Sequence, residues 1–481
     1  MSENKIDFDL SLACKLSTQM IKNTGSMPLF VKDNELIVGT LKNQDYPLLE
    51  SIFHNYKIKP IAIDRDKFDI FFAKITKAKS LEPLYLQVKT ELQSGIKIEQ
   101  PSIMKLINAI LSECVSLNAS DIHIEPNEHS CIIRTRIDGE LVPIFTFGIE
   151  IYDALCARIK LLAGLDIAEK RAPQDGRFSM EFKDTSCDFR VSTLPLIYKE
   201  SLVLRILYKT KTMLKLKDLG LHEANLDLLK QAISRPNGLM LVTGPTGCGK
   251  STTLYAAINH IKNWGKKIIT IENPVEYRLE KVQQVSVDET LEFGLALRAI
   301  LRQDPDVIMI GEIRDPSTLN TSIQAALSGH LVLSTLHTND ALGAIIRMND
   351  LGAANYLIAS SLSAVMAQRL LRKLCPHCKK QTNPSLEILS SLNIPNQQEV
   401  KFYEPTGCEK CAHTGYLGRI MVSEIVLMDE ILSTLITKNA SKEELRKTIE
   451  GKSQTMIQNA IHLVENGITS IEEVIKSLGE L

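Results

Sequence analysis

The sequence predicts an α/β protein whose larger, C-terminal part is a doubly wound parallel sheet. From about residue 220 onward, short apolar runs at 239–242, 267–271, 307–310 and 331–334 alternate with helical patterns. Such runs are typical of buried parallel strands in βαβ units. The segments before residue 209 instead group strand-like stretches around two helical patterns, which indicates an α+β domain.

The composition is that of an ordinary globular protein. A length of 481 residues suggests about three domains, and an apolar fraction of 44% is enough for sizeable cores. The net charge of -1 argues against nucleic acid as the main partner. Because no leader-like start and no apolar run of roughly 18 residues is visible, we expect a cytoplasmic protein whose membrane contact is indirect or peripheral.

We divide the chain into four successive parts. Residues 1–95 carry short mixed patterns and no chemical motif, so an adaptor domain and a purely stabilising extension both remain open. The α+β domain is expected at 97–208 and the α/β domain at 223–481. A lysine- and threonine-rich segment at 209–222 is expected to link them.

A phosphate-binding loop is predicted at 244–251, where the sequence reads Gly-Pro-Thr-Gly-Cys-Gly-Lys-Ser. An apolar strand precedes it and a helical pattern follows, as the motif requires, because backbone N–H groups and the helix N-terminus bind phosphate oxygens. Lys250 is expected to reach the β- and γ-phosphates of ATP, and Ser251 to ligate Mg²⁺. The expected nucleotide contacts are Gly244, Pro245, Thr246, Gly247, Cys248, Gly249, Lys250, Ser251 and Thr252.

A second nucleotide motif is predicted around residue 312. The apolar run Val307–Ile310 is followed by Gly311 and Glu312, as in a Walker B strand. The Glu312 carboxylate would emerge at the carboxyl end of the strand, beside the phosphate-binding loop. It would orient the attacking water or hold the Mg²⁺ shell, with a capping or salt-bridging glutamate as the alternative.

Several further motifs occur in one order along the chain. They are Ala119–Pro126 (ASDIHIEP), Arg134–Gly139 (RTRIDG), Pro173–Arg177 (PQDGR), Arg190–Thr193 (RVST), Thr270–Glu276 (TIENPVE), Gly329–Thr338 (GHLVLSTLHT) and Gln368–Leu370 (QRL). With these motifs, residues 100–481 resemble the secretion ATPase family that powers type II secretion and type IV pilus assembly. The resemblance implies a RecA-like P-loop NTPase core, preceded by a PAS-like α+β domain and a small N-terminal domain.

The resemblance also implies which polar residues act on the nucleotide. Glu272 matches a glutamate of the family's acidic motif, while Asn273 stands where an aspartate is usual. His330 and His337 match a histidine motif that would sense the γ-phosphate or bridge to the catalytic carboxylate, although a structural histidine is the ordinary alternative.

Two arginines of the α+β domain, Arg177 and Arg190, match residues to which the family assigns phosphate sensing. Guanidinium groups suit phosphate oxygens, while an ordinary surface salt bridge remains the alternative for each. They would act within one chain or between chains. The expected catalytic set is Glu312, Glu272, Arg177, Arg190 and His337.

Two C-x₂-C pairs predict a zinc site within an insertion at 374–416. Cys375 and Cys378 form the first pair, Cys408 and Cys411 the second, and 29 residues separate the pairs. A Cys₄ site has no open position, so its role would be structural. A redox pair and unrelated core cysteines are the alternatives. In the family that the chain resembles, this insertion is associated with docking to an inner-membrane platform protein.

The expected function is therefore an ATP-hydrolysing motor that assembles a pseudopilus for type II secretion, or a type IV pilus. The resemblance implies a homo-hexamer that works with the platform protein and other secretion or pilus components, with ATP, Mg²⁺ and Zn²⁺ as cofactors. Two alternatives from other classes are a nucleic-acid translocase and a nucleotide-binding scaffold without efficient hydrolysis. Neither DNA nor RNA is expected as a partner.

Overall fold

The computed structural model describes residues 8–41, 47–94, 101–209, 215–288, 290–384 and 401–479. The chain forms two compact units: Met1–Lys211 with Thr406–Gly415, and Thr212–Pro405 with Tyr416–Leu481. Residues 210–214 of the predicted linker and 385–400 of the predicted zinc insertion lie outside the described residues. The predicted domain boundaries stay predictions. Among the described residues, no helix combines the length and apolar character that crossing a bilayer requires.

The N-terminal part of the first unit is a small sheet covered by helices. Its elements are α1 (Leu10–Ala13), α2 (Thr18–Thr24), β1 (Ser26–Lys32), β2 (Glu35–Thr40), α3 (Pro47–Ile52), β3 (Lys57–Ala62), α4 (Arg65–Ala78) and α5 (Glu82–Gln93). Strand β2 pairs antiparallel with β1 and parallel with β3. The side chains of Ile21, Met27, Leu36 and Ile75 are fully buried and form the core of this part.

The rest of the first unit is an antiparallel sheet with two helices, as the predicted α+β pattern requires. Its elements are α6 (Pro101–Ser116), β4 (Asp121–Pro126), β5 (Ser130–Ile137), β6 (Glu140–Gly148), α7 (Tyr152–Leu162), β7 (Gln174–Phe182), β8 (Thr185–Pro195) and β9 (Glu200–Tyr208). The strand order is β6-β5-β4-β9-β8-β7. Because side chains alternate along each strand, one face is buried and the other carries polar groups.

A buried ion pair fastens α7 to the start of β9. Lys160 Nζ lies 2.8 Å from Glu200 Oε1, and the two side chains are only 1% and 7% exposed. Lys160 also donates to the backbone carbonyl of Glu169 at 2.6 Å, and the Tyr152 hydroxyl donates to the backbone carbonyl of Glu200. Each charge therefore depends on its partner, since water does not reach it.

The second unit contains the predicted doubly wound sheet. Its first elements are α8 (Glu223–Ile233), β10 (Gly238–Thr243), α9 (Lys250–Ile261), β11 (Ile268–Glu272), β12 (Gln283–Ser286), α10 (Phe293–Ile300), β13 (Val307–Ile310), α11 (Pro316–Leu327), β14 (Leu331–Leu336), α12 (Ala341–Asp350) and α13 (Asn355–Ser361). The remaining elements are β15 (Leu362–Leu374), β16 (Lys380–Thr382), β17 (Phe402–Glu404), β18 (Tyr416–Leu427), α14 (Glu430–Thr437), α15 (Lys442–Ile449), α16 (Met456–Glu465) and α17 (Ile471–Leu478).

The main sheet has the order β12-β11-β13-β14-β10-β15-β18. Its neighbours are parallel except β15 and β18. Every residue of β10 is buried, and its side chains alternate between two cores: Leu239 and Leu241 enter one, Met240 and Val242 the other. Helices thus cover both faces, which confirms the α/β fold class.

Two segments near the C-terminus, Ser441–Glu444 and Ser470–Glu473, have the sequence of a capping box, and each begins a helix. At α15, the Ser441 side chain accepts from the backbone of Glu444, and the Glu444 carboxylate accepts from the backbone of Ser441. At α17, Ser470 caps the helix, whereas the Glu473 carboxylate accepts from the Arg372 guanidinium of β15. The second box therefore has the serine hydrogen bond only, because its glutamate forms a buried ion pair with Arg372 instead.

Replacing Glu200 by glutamine keeps the side-chain shape but leaves the Lys160 ammonium buried without its counter-charge. We expect the free energy of unfolding of this unit to fall by about 3–5 kcal/mol, measured by urea denaturation. Lys209→Gln is the control, because Lys209 pairs with Asp188 at an exposed position, and we expect a change below about 1 kcal/mol. Equal effects of the two substitutions would contradict this prediction.

Candidate functional site

The predicted phosphate-binding loop connects β10 to α9, in the middle of the parallel sheet. Gly247 and Gly249 have φ values of 79° and 89°, which few residues other than glycine adopt. At Gly244, an added Cβ would lie 2.5 Å from the backbone oxygen of Gln368 and from Cys248 Sγ. The loop conformation therefore requires glycine at both of its ends.

Lys250 begins α9 and folds back over the loop. Its ammonium donates to the backbone carbonyls of Gly244 at 2.8 Å and Pro245 at 3.0 Å. Burial lowers the pKa of Lys250, while the negative charge of Glu312 acts in the opposite direction. Ser251 is exposed in the same first turn. The lysine and the serine hydroxyl thus lie where the motif requires them, and the hydroxyl would be a ligand for Mg²⁺.

Glu312 lies just beyond the carboxyl end of β13, and its two carboxylate oxygens contact an arginine and a histidine. Its Oε1 is 2.6 Å from Arg314 Nη2, and its Oε2 is 3.5 Å from His337 Nε2. The Glu312 side chain is 18% exposed, whereas that of His337 is half exposed. His337 and Glu312 are therefore neighbours, and the expected roles of both residues stay predictions. Arg314 was missed by the sequence analysis, although it stands only two residues after Glu312.

The two histidines of the motif lie at opposite ends of β14. His330 precedes the strand, and its Nδ1 is 3.0 Å from the carbonyl oxygen of Ala325 and 3.2 Å from Ser328 Oγ. His337 follows the strand, at the end where the neighbouring β10 leads into the phosphate-binding loop. His330 therefore contacts the end of α11, and of the two histidines it is His337 that lies beside Glu312.

Glu272 ends β11 and is buried, with 4% exposure. Its carboxylate accepts hydrogen bonds from Thr270 Oγ1 at 2.5 Å, from Gln284 Nε2 at 3.1 Å and from the Tyr255 hydroxyl. Tyr255 belongs to α9, and burial raises the pKa of its hydroxyl. The next residue, Asn273, is exposed. Glu272 is thus anchored to the helix that follows the loop, and its catalytic role stays a prediction.

Arg177 and Arg190 lie opposite each other on β7 and β8 of the first unit. Arg205 of β9 lies opposite Arg190, and Asp121 of β4 lies opposite Arg205. The three arginines line an open cavity of about 570 Å³. Arg205 Nε is 3.1 Å from Asp121 Oδ1. The sheet register therefore adds Arg205 to the two predicted arginines. A row of guanidinium groups suits a phosphorylated ligand, and the roles of Arg177 and Arg190 stay predictions.

The four predicted zinc ligands come together in space. The Sγ atoms of Cys375, Cys378, Cys408 and Cys411 all lie within 4.8 Å of one another. Tetrahedral coordination at about 2.3 Å requires sulfur atoms roughly 3.8 Å apart, close to what the cluster offers. The backbone N–H groups of Cys408 and Gly415 donate to Cys411 Sγ at 3.2 and 3.3 Å, as suits a thiolate. The residues fit a closed structural Zn²⁺ site.

Residues 97–476 match the family model described as Type II/IV secretion system protein. The chain is 46% identical over 376 residues to type II secretion system protein E of Aeromonas hydrophila, covering 78% of this chain and 75% of that protein. It is 44% identical over 376 residues to type II secretion system ATPase E of Vibrio cholerae, with the same shares covered. Against the type IV pilus assembly ATPase PilB of Thermus thermophilus, identity is 39% over 394 residues, covering 81% of this chain and 44% of PilB.

Solved structures also resemble this fold. The crystal structure of the pilus retraction motor PilT with bound ADP superposes with a TM-score of 0.51 at 29% identity, covering 76% of this chain and 95% of PilT. The ATPase DotB of Yersinia pseudotuberculosis gives a TM-score of 0.59 at 22% identity, covering 77% of this chain and 92% of DotB. The second likeness concerns the fold alone.

Zinc content tests the cysteine cluster directly. We expect the purified chain to carry about one zinc ion, and Cys408→Ser to lose it and to melt at a lower temperature, because three thiolates bind zinc less well than four. Metal content would be measured by mass spectrometry and stability by thermal melting. Cys14→Ser, outside the cluster, is the control and should keep the metal. A zinc-free wild-type chain with unchanged folding would exclude the site.

Proposed function

The chain belongs to the Type II/IV secretion system protein family, and we propose that it uses ATP hydrolysis to power the assembly of a pseudopilus for type II secretion. Two findings support this: the chain is similar to named secretion ATPases over more than three quarters of its length, and its second unit brings the predicted phosphate-binding loop, Glu312 and His337 to one edge of the sheet. The similarity to PilB makes type IV pilus assembly the second candidate.

The observation that carries the proposal is the environment of Glu312. Its carboxylate lies beyond β13, contacts His337 and Arg314, and acts electrostatically on the phosphate-binding lysine, Lys250. A carboxylate in this position can accept a hydrogen bond from the attacking water. Neither a purely binding scaffold nor a structural salt bridge requires a histidine on the second oxygen of the same carboxylate.

In the proposed reaction, the backbone N–H groups of the loop and Lys250 bind the phosphates of ATP, and Glu312 orients water towards the γ-phosphate. His337 and Arg314 keep the carboxylate aimed, because each contacts a different oxygen. Mg²⁺, when bound, would neutralise charge on the phosphate oxygens, with the Ser251 hydroxyl as a ligand. The products are ADP and inorganic phosphate.

The arginine row of the first unit supplies a second group of phosphate ligands. Arg177 and Arg190 face one cavity, and each guanidinium offers several N–H donors in one plane. We propose that they contact a nucleotide bound to the same or a neighbouring chain, and that loss of the γ-phosphate releases them. Movement of one unit against the other would then transmit force, in a hexamer, to a platform protein of the inner membrane.

The cellular setting follows from this function. A motor of this kind would work in the cytoplasm, and the zinc cluster would shape the surface that contacts the platform protein. Steady-state ATPase activity, measured with and without a cytoplasmic fragment of that protein, tests the partner. Stimulation by the fragment supports a secretion or pilus motor, whereas stimulation by DNA with steep salt dependence would indicate a translocase instead.

Glu312→Gln tests the catalytic step. The amide keeps the size of the side chain but orients water less strongly, so we expect kcat to fall by about 100-fold or more. The affinity for ADP should stay near that of the wild type, because Lys250 and the loop are intact. Phosphate release and calorimetry measure the two quantities. Glu465→Gln, exposed on α16, is the control; a wild-type kcat in Glu312→Gln would refute the assignment.

Arg190→Lys tests the arginine row. Lysine keeps the positive charge but not the planar set of donors, so we expect kcat to fall by about tenfold while the affinity for ADP, which lacks the γ-phosphate, hardly changes. Arg134→Lys is the control, since Arg134 of β5 is held by Glu125 at 2.6 Å and is not expected to contact nucleotide. An unaltered kcat in the Arg190 variant would leave only a structural role.

A further inference from the structure

We propose that Gln368 of β15 is a positioning residue, which sets the conformation of the phosphate-binding loop and thereby the affinity for nucleotide. The proposal rests on the nucleotide site described above, but not on the secretion function. It concerns a side chain on a different strand from those that carry the loop, Glu312 and His337. In the sequence, Gln368 stands out only as the first residue of the QRL motif.

Gln368 is completely buried and both ends of its amide are used. Its Nε2 donates to the backbone carbonyl of Cys248 at 2.7 Å, inside the loop. Its Oε1 accepts from Thr253 Oγ1 at 2.9 Å, in the first turns of α9. The orientation of the amide is fixed by these partners, because a carbonyl oxygen accepts only and therefore must face the amide nitrogen.

The bond to the Cys248 carbonyl determines where the next N–H group points. In a trans peptide the C=O and the following N–H point in opposite directions. With the Cys248 oxygen drawn towards Gln368, the N–H of Gly249 is directed away from β15. N–H groups of this loop are the donors that phosphates require, so Gln368 orients a phosphate-binding group that it does not touch.

The second bond fixes the adjoining peptide. The Thr253 hydroxyl lies 3.2 Å from the carbonyl of Gly249 and 2.9 Å from Gln368 Oε1, so one buried hydroxyl connects the loop, the helix and β15. The backbone of β15 adds a further contact, since the carbonyl oxygen of Gln368 lies only 2.5 Å from where a Cβ on Gly244 would be. Gln368 thus contacts the loop near both its beginning and its end.

A simpler explanation is that Gln368 only satisfies buried polar groups and so stabilises the fold. The two explanations differ in one respect. Loss of a purely stabilising contact lowers the melting temperature of the free and the nucleotide-bound protein alike. Loss of a positioning contact also weakens nucleotide binding and so reduces the increase in melting temperature that ADP produces. Nucleotide affinity is therefore the quantity that separates them.

The experiment measures the Kd for Mg·ADP by calorimetry, and melting temperatures with and without Mg·ADP, in the full chain. Gln368→Met removes both hydrogen bonds at similar volume, and Gln368→Glu keeps the acceptor for Thr253 but loses the donor to Cys248. We expect Kd to rise about tenfold in each, or about 1.4 kcal/mol of binding free energy. Gln324→Met, exposed on α11, is the control with wild-type affinity.

Thr253 provides a second test if the Gln368 variants do not fold. Thr253→Val removes the hydroxyl with little change in shape and should raise Kd, whereas Thr253→Ser keeps the hydroxyl and should restore it. Wild-type Kd values in the Gln368 variants, or in Thr253→Val where only that variant folds, would overturn the proposal. Because ADP binding is measured without hydrolysis or secretion, a failure of the proposed function leaves this test intact.

Discussion

The parallel alignment of β10, β13 and β14 is the constraint on which the site depends. Residues 238, 307 and 331 begin these neighbouring strands in register, so the three strands end at one edge of the sheet. Every residue of the three strands is buried and none is charged, so the charged and titratable side chains of the site follow the strand ends. The phosphate-binding loop, Glu312 and His337 consequently meet without any of them being close in sequence.

Strand β15 adds a second constraint, because it contacts several functional segments in turn. Gln368 holds the phosphate-binding loop, and Arg369 donates to Asn339, two residues beyond His337. Further along, Arg372 pairs with the buried Glu473 of α17, and the strand ends directly before Cys375 of the cysteine cluster. Strand β15 therefore connects the predicted phosphate-binding loop, the loop that follows His337 and the first cysteine of the cluster.

Local patterns were enough to predict the loop, the buried strands and the cysteine pairs, since each depends on residues close in sequence. Strand β7 escaped prediction because its residues alternate only between exposed and half-buried positions. The Arg177–Arg190–Arg205 row depends on the pairing register of three strands, which no local pattern contains. His330 precedes β14 and therefore lies at the end of the strand away from the phosphate-binding loop. This position follows from the direction of the strand and could not be predicted from the histidine motif.

The two acidic residues of the site have different surroundings, and this separates their roles. A carboxylate has about four lone-pair sites, and Glu272 already accepts from Tyr255, Thr270 and Gln284 while buried. Glu312 is more exposed, contacts Arg314 and His337, and acts through its charge on Lys250. Water therefore reaches the partly exposed Glu312 carboxylate, whereas the Glu272 carboxylate is shielded from solvent and has three of its lone-pair sites occupied. Because Tyr255 lies on α9, directly behind the loop, turning the Glu272 carboxylate towards solvent would also break a contact that holds this helix.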